Sequence, residues 1–285
     1  MSFISPRTSR FLGRDILSND QLRSVAPSIF ATDKHASRSD RYAYIPTSEV
    51  VDGMRANGFE PVFAKQGNSR VEGKADFTKH PIRFRHQGED IATRRIGGIY
   101  PEVVVVNSHD GTSAYKVMAG LMRLVCLNGM VVADRDLTSV SVPHKGDVMR
   151  QVIEGSYQVL SESRQAVEAA DTWAGVTLTR DEQMAMAEAA HVIRFADAEG
   201  NVQTPIQADQ LLRIRRREDE GADLWRTANR LQENAIRGGL TAWGRDANNR
   251  PRRTTTREVK GIDADVKINR ALWLLNERTA ALKAA

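Results

Sequence analysis

The chain has 285 residues, 41% hydrophobic and 27% charged, a balance that excludes wholesale disorder and suffices for one large core or two modest ones. No apolar run approaches the roughly 20 residues that cross a bilayer, and the start Met1-Ser2-Phe3-Ile4-Ser5-Pro6 lacks a signal-peptide core, so a cytoplasmic protein without membrane contact is expected. The single cysteine, Cys126, excludes an internal disulfide and a cysteine-rich zinc site, and the modest net charge of +5 turns attention to where the positive charge is concentrated.

Six of the nine prolines precede residue 102 and all four tryptophans lie beyond residue 170, which predicts a first half rich in strands and loops and a helical second half. After an N-terminal arm (1–38), in which Ser18 and Gln21 form a capping box for a short helix ending at Val25, an α+β core is expected over 39–143. Its predicted elements are a strand at 42–45, a helix capped by Thr47 and stopped at Asn57-Gly58, and strands at 59–65, 80–86 and 99–106. The turn Asn107-Ser108-His109-Asp110-Gly111 follows, then a helix over 113–127 with an apolar stripe at Val117, Leu121, Leu124 and Val125 and with Lys116, Gly120 and Arg123 along another face. Strands at 130–133 and 138–142 would complete an antiparallel β-meander packed on that helix.

Beyond Pro143 a helical C-terminal subdomain (144–285) is expected. A helix over 147–170 carries a seam of alternating four- and three-residue steps from Met149 to Ala170, and one over 263–282 repeats it from Ile268 to Leu282. Thr179 with Glu182, and Thr204-Pro205 with Gln207, are further capping boxes, and the helix containing Leu224, Trp225, Ala228, Leu231 and Ala235 stops at Gly238-Gly239. Between the last two helices, 237–260 reads as an aperiodic basic loop, long enough to suggest function.

Few residues form a catalytic pattern. Ser108, His109 and Asp110 are the residue types of a hydrolase triad, but neighbours in one turn cannot align nucleophile, base and acid, so they read as turn residues with Gly111 at positive φ. The N–H groups of the helix expected after this turn could receive a phosphate. The six histidines show no metal-ligand spacing, and Glu258-Val259-Lys260 is a nuclease-like tripeptide with no preceding strand aspartate in place, so neither metal nor cofactor is expected.

The basic residues are more coherent. From 235 to 260 seven bases face two acids, with Trp243 among Arg237, Arg245, Arg250, Arg252 and Arg253, which is the minimum needed to track a single strand and stack a base. A second cluster includes Lys79, Arg83, Arg85, Arg94 and Arg95; alternation at 80–86 puts Ile82 and Phe84 toward a core and leaves Arg83 and Arg85 on an exposed face suited to phosphate. The run Arg213 to Arg217 is followed at once by Glu218-Asp219-Glu220, so its charge is expected to be answered locally.

The strings Asn107-Ser108-His109-Asp110-Gly111, Arg123-Leu124-Val125-Cys126-Leu127-Asn128-Gly129, Arg216-Arg217-Glu218-Asp219, Asp223-Leu224-Trp225, Gln232-Glu233-Asn234 and Arg237-Gly238-Gly239 together resemble the phage/plasmid-like protein family of unknown function. The resemblance covers most of the chain and implies a mobile-DNA setting, with no catalytic residues to carry over. The order of elements also resembles the core of single-strand annealing recombinases of the RecT and Redβ type, which hold one strand's backbone in a cationic groove and assemble into rings or filaments.

The resulting expectation is an α+β, non-catalytic single-stranded DNA-binding protein of a mobile element that promotes annealing as a homo-oligomer. Phosphates would be neutralised by Lys79, Arg83, Arg85, Arg94, Arg95, Lys116 and Arg123, and by Arg237, Arg245, Arg252 and Arg253 around Trp243. The alternative is a regulator or inhibitor that grips a host protein through the two helical seams. A metal-dependent nuclease ranks third.

Overall fold

A computed structural model describes residues 15–33, 44–67, 69, 71, 73–88, 99–123, 129–131, 140–143, 146–245 and 248–285. The chain divides into two compact units, Met1–Val167 and Glu168–Ala285, so the division falls inside a helix rather than at 143/144.

The first unit is an antiparallel sheet with helices. Ser18 and Gln21 make the reciprocal capping box that starts α1 (Asn19–Val25). Next come α2 (Thr47–Ala56), β1 (Phe59–Ala64), β2 (His80–His86) and β3 (Ile99–Asn107). Tyr44 and Ile45, the described part of the expected strand at 42–45, are not in a strand. All nine residues of β3 are buried, which is why Val103 to Val106 forms an unbroken apolar run instead of alternating.

The segment expected to be the core helix is a strand, β4 (Tyr115–Arg123), paired with β3 from Ile99↔Arg123 to Val106↔Lys116. Met118, Leu121 and their neighbours have the composition of a helix, but the alternate positions Tyr115, Val117, Ala119 and Leu121 are all buried, and the ladder with β3 overrides local propensity. Lys116 and Arg123 therefore share no helical face, and no helix N-terminus follows the 107–111 turn to hold a phosphate. The order β1-β2-β3-β4 is a meander; β5 (Gly129–Val131) and β6 (Val140–Val142) share the outer edge of β4, one at each end.

The helix α3 (Val148–Trp173) explains its own seam. Ser156 and Ser163 are fully buried; Ser156 Oγ donates to Val152 O and approaches Met54 Sδ, and Ser163 Oγ donates to Val159 O and to Glu102 O of β3 at 3.1 Å. Gly53 and Gly155 keep the approach close, since an added Cβ would lie 2.9 Å from Met149 Sδ and 3.0 Å from a Val140 methyl, respectively. The Met149 to Ala170 seam is thus covered by the protein itself for as far as it lies in this unit.

In the second unit, α4 (Arg180–Phe195) begins with the Thr179/Glu182 capping box. Thr204-Pro205 leads to a short 3-10 turn, Ala208–Leu212, capped by Gln207. Asp223 caps α5 (Leu224–Arg237), whose residues from Leu224 to Ala235 are buried except Arg226, and α6 (Ile262–Ala284) closes the chain. Trp173 packs against Trp225 and Trp273 at ring separations of 6.3 and 4.5 Å.

The basic loop is instead a β-hairpin, β7 (Thr241–Arg245) paired with β8 (Pro251–Thr255). Its β-branched Thr254-Thr255 and aromatic Trp243 are strand formers, and Asn249 takes the positive φ of 61° that the connection requires.

Candidate nucleic-acid interface

Arg83 and Arg85 do lie on the sheet face opposite Ile82 and Phe84, but that face is not free. Arg83 Nε and Arg85 Nη2 donate to the two oxygens of Glu102 at 2.6 and 2.8 Å, and Glu102 is 1% exposed. Arg83 lies over the Phe63 ring and Arg85 over Tyr100, 5.0 and 3.8 Å from the centroids. Because β2 and β3 pair with Arg83 opposite Val104, Glu102 arises on the arginine side of the neighbouring strand. Both arginines are therefore spent on a buried carboxylate, which corrects their expected role as an exposed phosphate-binding pair. Lys79 is half-buried and Lys116 is exposed on β4; Arg123 ends β4, and Arg94 and Arg95 fall outside the described residues.

The turn at 107–111 is structural on its polar side. Gly111 has φ 74°, Ser108 Oγ accepts from Ser113 N at 2.9 Å, and Asp110 Oδ1 accepts from Thr112 N and its hydroxyl. Lys74 lies 3.2 Å from Asp110. These hydrogen bonds hold the Asp110 carboxyl below its usual pKa against the opposing effect of burial.

His109 turns inward. Thr47 Oγ1 lies 3.1 Å from His109 Nε2, 3.0 Å from His80 Nε2 and 3.0 Å from Asn107 Nδ2, with all four side chains fully buried. Thr47 thus begins α2 without capping it, its hydroxyl serving this network instead. His80 Nδ1 reaches Thr78 O at 3.0 Å, so the consistent assignment has His80 donating there and accepting the Thr47 proton at Nε2, while Asn107 and His109 donate to Thr47. Burial, then the neighbouring His109, lower the His80 pKa to about 3, so it is neutral. Ser108 Oγ accepts from the Thr112 hydroxyl and from Ser113 N, within its own turn, whereas the serine beside the buried imidazoles is Ser28, whose Oγ lies 2.8 Å from His80 Nδ1.

In the second unit the expected residues fall into two groups. On the hairpin, Trp243 pairs with Arg253 and Arg245 with Pro251, so Trp243, Arg253 and Arg245 share one face of a two-stranded ribbon. Trp243 is 71% exposed. The other face carries Gly244 and Arg252; an added Cβ at Gly244 would lie 3.0 Å from the Pro205 ring, so this side is the one held against the unit.

Arg237 belongs to a cleft of about 600 Å³ lined by Arg213, Ile214, Arg215, Arg216, Glu233, Gly238 and Gly239. The sequence discounted Arg213 to Arg216 as neutralised by the acids at 218–220, but Arg216 pairs with Glu233 of α5 at 2.7 Å, and Glu233 also takes Arg237 at 2.7 Å. Those two guanidinium groups hold the Glu233 carboxyl below its usual range although burial pushes the other way. Arg215 Nε donates to Asn234 Oδ1 at 2.6 Å and Nη2 to Gly238 O. Among the described residues no group of three His, Cys, Asp or Glu side chains is placed to hold a metal ion, and Val259, in the middle of the nuclease-like tripeptide, is buried with its N–H on Ile236 O. No described helix is long and apolar enough to cross a membrane.

Residues 34–273 match the family described as "Domain of unknown function (DUF932)", which takes in most of both units. The chain belongs to the DUF932 family. Among relatives of this DUF932 protein, the UPF0380 protein YafZ of Escherichia coli (strain K12) is 45% identical over 261 residues, spanning 92% of this chain and 90% of the relative. The UPF0380 protein YfjQ of the same organism is 44% identical with the same coverage. No solved structure matches. The expected membership of a family of unknown function thus holds at that level.

Proposed function

We propose that this DUF932 protein binds single-stranded DNA on the β7–β8 ribbon of its second unit. The observation that carries the reading is Trp243, an indole 71% exposed on the same ribbon face as Arg253 and Arg245, while the other three tryptophans are buried. An exposed indole costs solubility and offers a stacking platform, and adjacent guanidinium groups supply the charge that follows a phosphate backbone. The interface is narrower than the sequence suggested, since Arg83 and Arg85 no longer contribute. The mobile-element setting, homo-oligomeric assembly and promotion of annealing extend the same reading: a strand held by its backbone and one stacked base keeps its other bases open for pairing.

The test is an oligonucleotide titration read by anisotropy. Trp243→Ala should weaken binding between roughly 5- and 150-fold, the loss of one stacked base, without moving the thermal melt. Binding should also weaken with salt, by about 0.7 in log affinity per unit log salt for each phosphate neutralised, and Arg253→Ala should remove about one such increment. An affinity indifferent to both substitutions, or no binding at low salt, sinks the proposal; a small species indifferent to DNA would instead fit a regulator of a host protein.

A further inference from the structure

The arginine-lined cleft of the second unit is a different kind of surface from the ribbon: concave, and carrying four guanidinium groups against the single carboxylate of Glu233. At about 600 Å³ it falls within the size of small-molecule sites, roughly 300–1,000 Å³. The last turn of α5 lines it with Glu233 and Arg237, and a helix C-terminus ordinarily repels anions. Here that pole is covered: Arg194 Nε donates to Ala235 O, Val259 N to Ile236 O, and Arg215 to Gly238 O. The remaining charge is crowded. Arg213 is exposed and makes no side-chain hydrogen bond or ion pair among the described residues. Burial lowers the Arg215 pKa, and the charges of Arg237, Arg213 and Arg216 add to the effect of burial, against Glu233.

We propose that this cleft binds a phosphomonoester, and that its ligand is the terminal phosphate of the strand lying on the ribbon. A phosphomonoester carries about two negative charges and three strong acceptor oxygens at neutral pH, which suits an excess of guanidinium groups better than a singly charged backbone diester. Two observations connect the cleft to the ribbon. Gly238 and Gly239, which line it, lead directly into β7, with Gly239 N on Thr256 O at 2.8 Å and Leu240 paired to Thr256. Gln210, on the turn that precedes Arg213, donates to Thr241 O at 3.0 Å. Ile214, 45% exposed at the cleft, offers an apolar surface for the terminal sugar or base.

This inference rests on the nucleic-acid reading for its ligand, and the experiment separates the two. Full-length protein is titrated with an oligothymidylate carrying a 5′-phosphate, its 3′-phosphorylated isomer and its doubly hydroxylated twin, and separately with thymidine monophosphate. One of the phosphorylated strands should bind about tenfold more tightly than the hydroxyl twin, the scale of a charge-assisted hydrogen bond. Arg213→Gln, at an exposed residue, should abolish that difference with the melt in place. Equal affinity of all three strands overturns the cleft and leaves the ribbon reading intact. Absence of binding by every strand overturns the ribbon reading; saturable thymidine monophosphate binding that Arg213→Gln abolishes then supports the phosphomonoester site, and its absence overturns that too.

Discussion

Acid should unfold the first unit through His80. The imidazole is fully buried and its pKa falls from 6.5 to about 3, driven by burial and then by His109. Below pH 6.5 the unfolded chain takes up a proton that the folded chain refuses, so the unfolded state is favoured as pH falls. The contribution is intact above pH 6.5 and is lost progressively down to about pH 3. At pH 4.5 the loss from this one group is about 3 kcal/mol, with a limiting slope of about 1.4 kcal/mol per pH unit. All five tyrosines lie before residue 168 and all four tryptophans after it, so near-ultraviolet tyrosine dichroism reports the first unit and tryptophan fluorescence the second. Urea unfolding from pH 7.5 to 4.5 should show the slope in the tyrosine signal. His80→Gln should be less stable at pH 7.5, and in it the slope should shrink by about one proton's worth. Parallel pH profiles for the two proteins would refute the argument that the buried network of Thr47, Asn107 and His109 excludes the imidazolium.

Arg83→Ala leaves the buried Glu102 with one partner, and it should cost the first unit about 3 kcal/mol, seen as a lower urea midpoint in the tyrosine signal; an unmoved midpoint would show that Glu102 does not depend on Arg83. Gly238→Ala and Gly239→Ala should differ sharply although both glycines have positive φ, 66° and 80°. A Cβ at 238 would lie 2.6 Å from the Arg257 carbonyl carbon, whereas at 239 the nearest atoms are 3.8 Å away. The first substitution should therefore destabilise the second unit by several kcal/mol and the second by only about 1 kcal/mol, compared by tryptophan fluorescence in urea.

The elements that were legible in the sequence carry their instructions locally. His80 to His86 alternates, Thr179 and Glu182 close a box, and Gly238 ends α5. The failures came where long-range pairing decides. Tyr115 to Arg123 offers helix-like residues, and only β3, paired with it at eight positions, makes it a strand. Charge masks the hairpin in the sequence, because Arg252 and Arg253 sit between β-branched residues and a turn marked by Asn248-Asn249. Arg83 and Arg85 were readable as a pair on one face, but their partner Glu102 lies 17 residues beyond Arg85, on a different strand, and the missing signal was an acid in an otherwise apolar run. The run Arg213 to Arg216 follows the same rule: the acid that answers Arg216, Glu233, reaches it by folding and not by adjacency.

The Arg83–Glu102–Arg85 trio also bears on how the sheet finds its alignment. Sliding β2 by one residue along β3 would turn both guanidinium groups into the layer occupied by Ile82 and Phe84 and leave Glu102 facing hydrocarbon. Valine-rich strands such as β3 tolerate many offsets on hydrophobic grounds alone. A carboxylate gripped from two alternate positions permits one, so the trio penalises mispaired sheets during folding even if it adds little to the stability of the correct one.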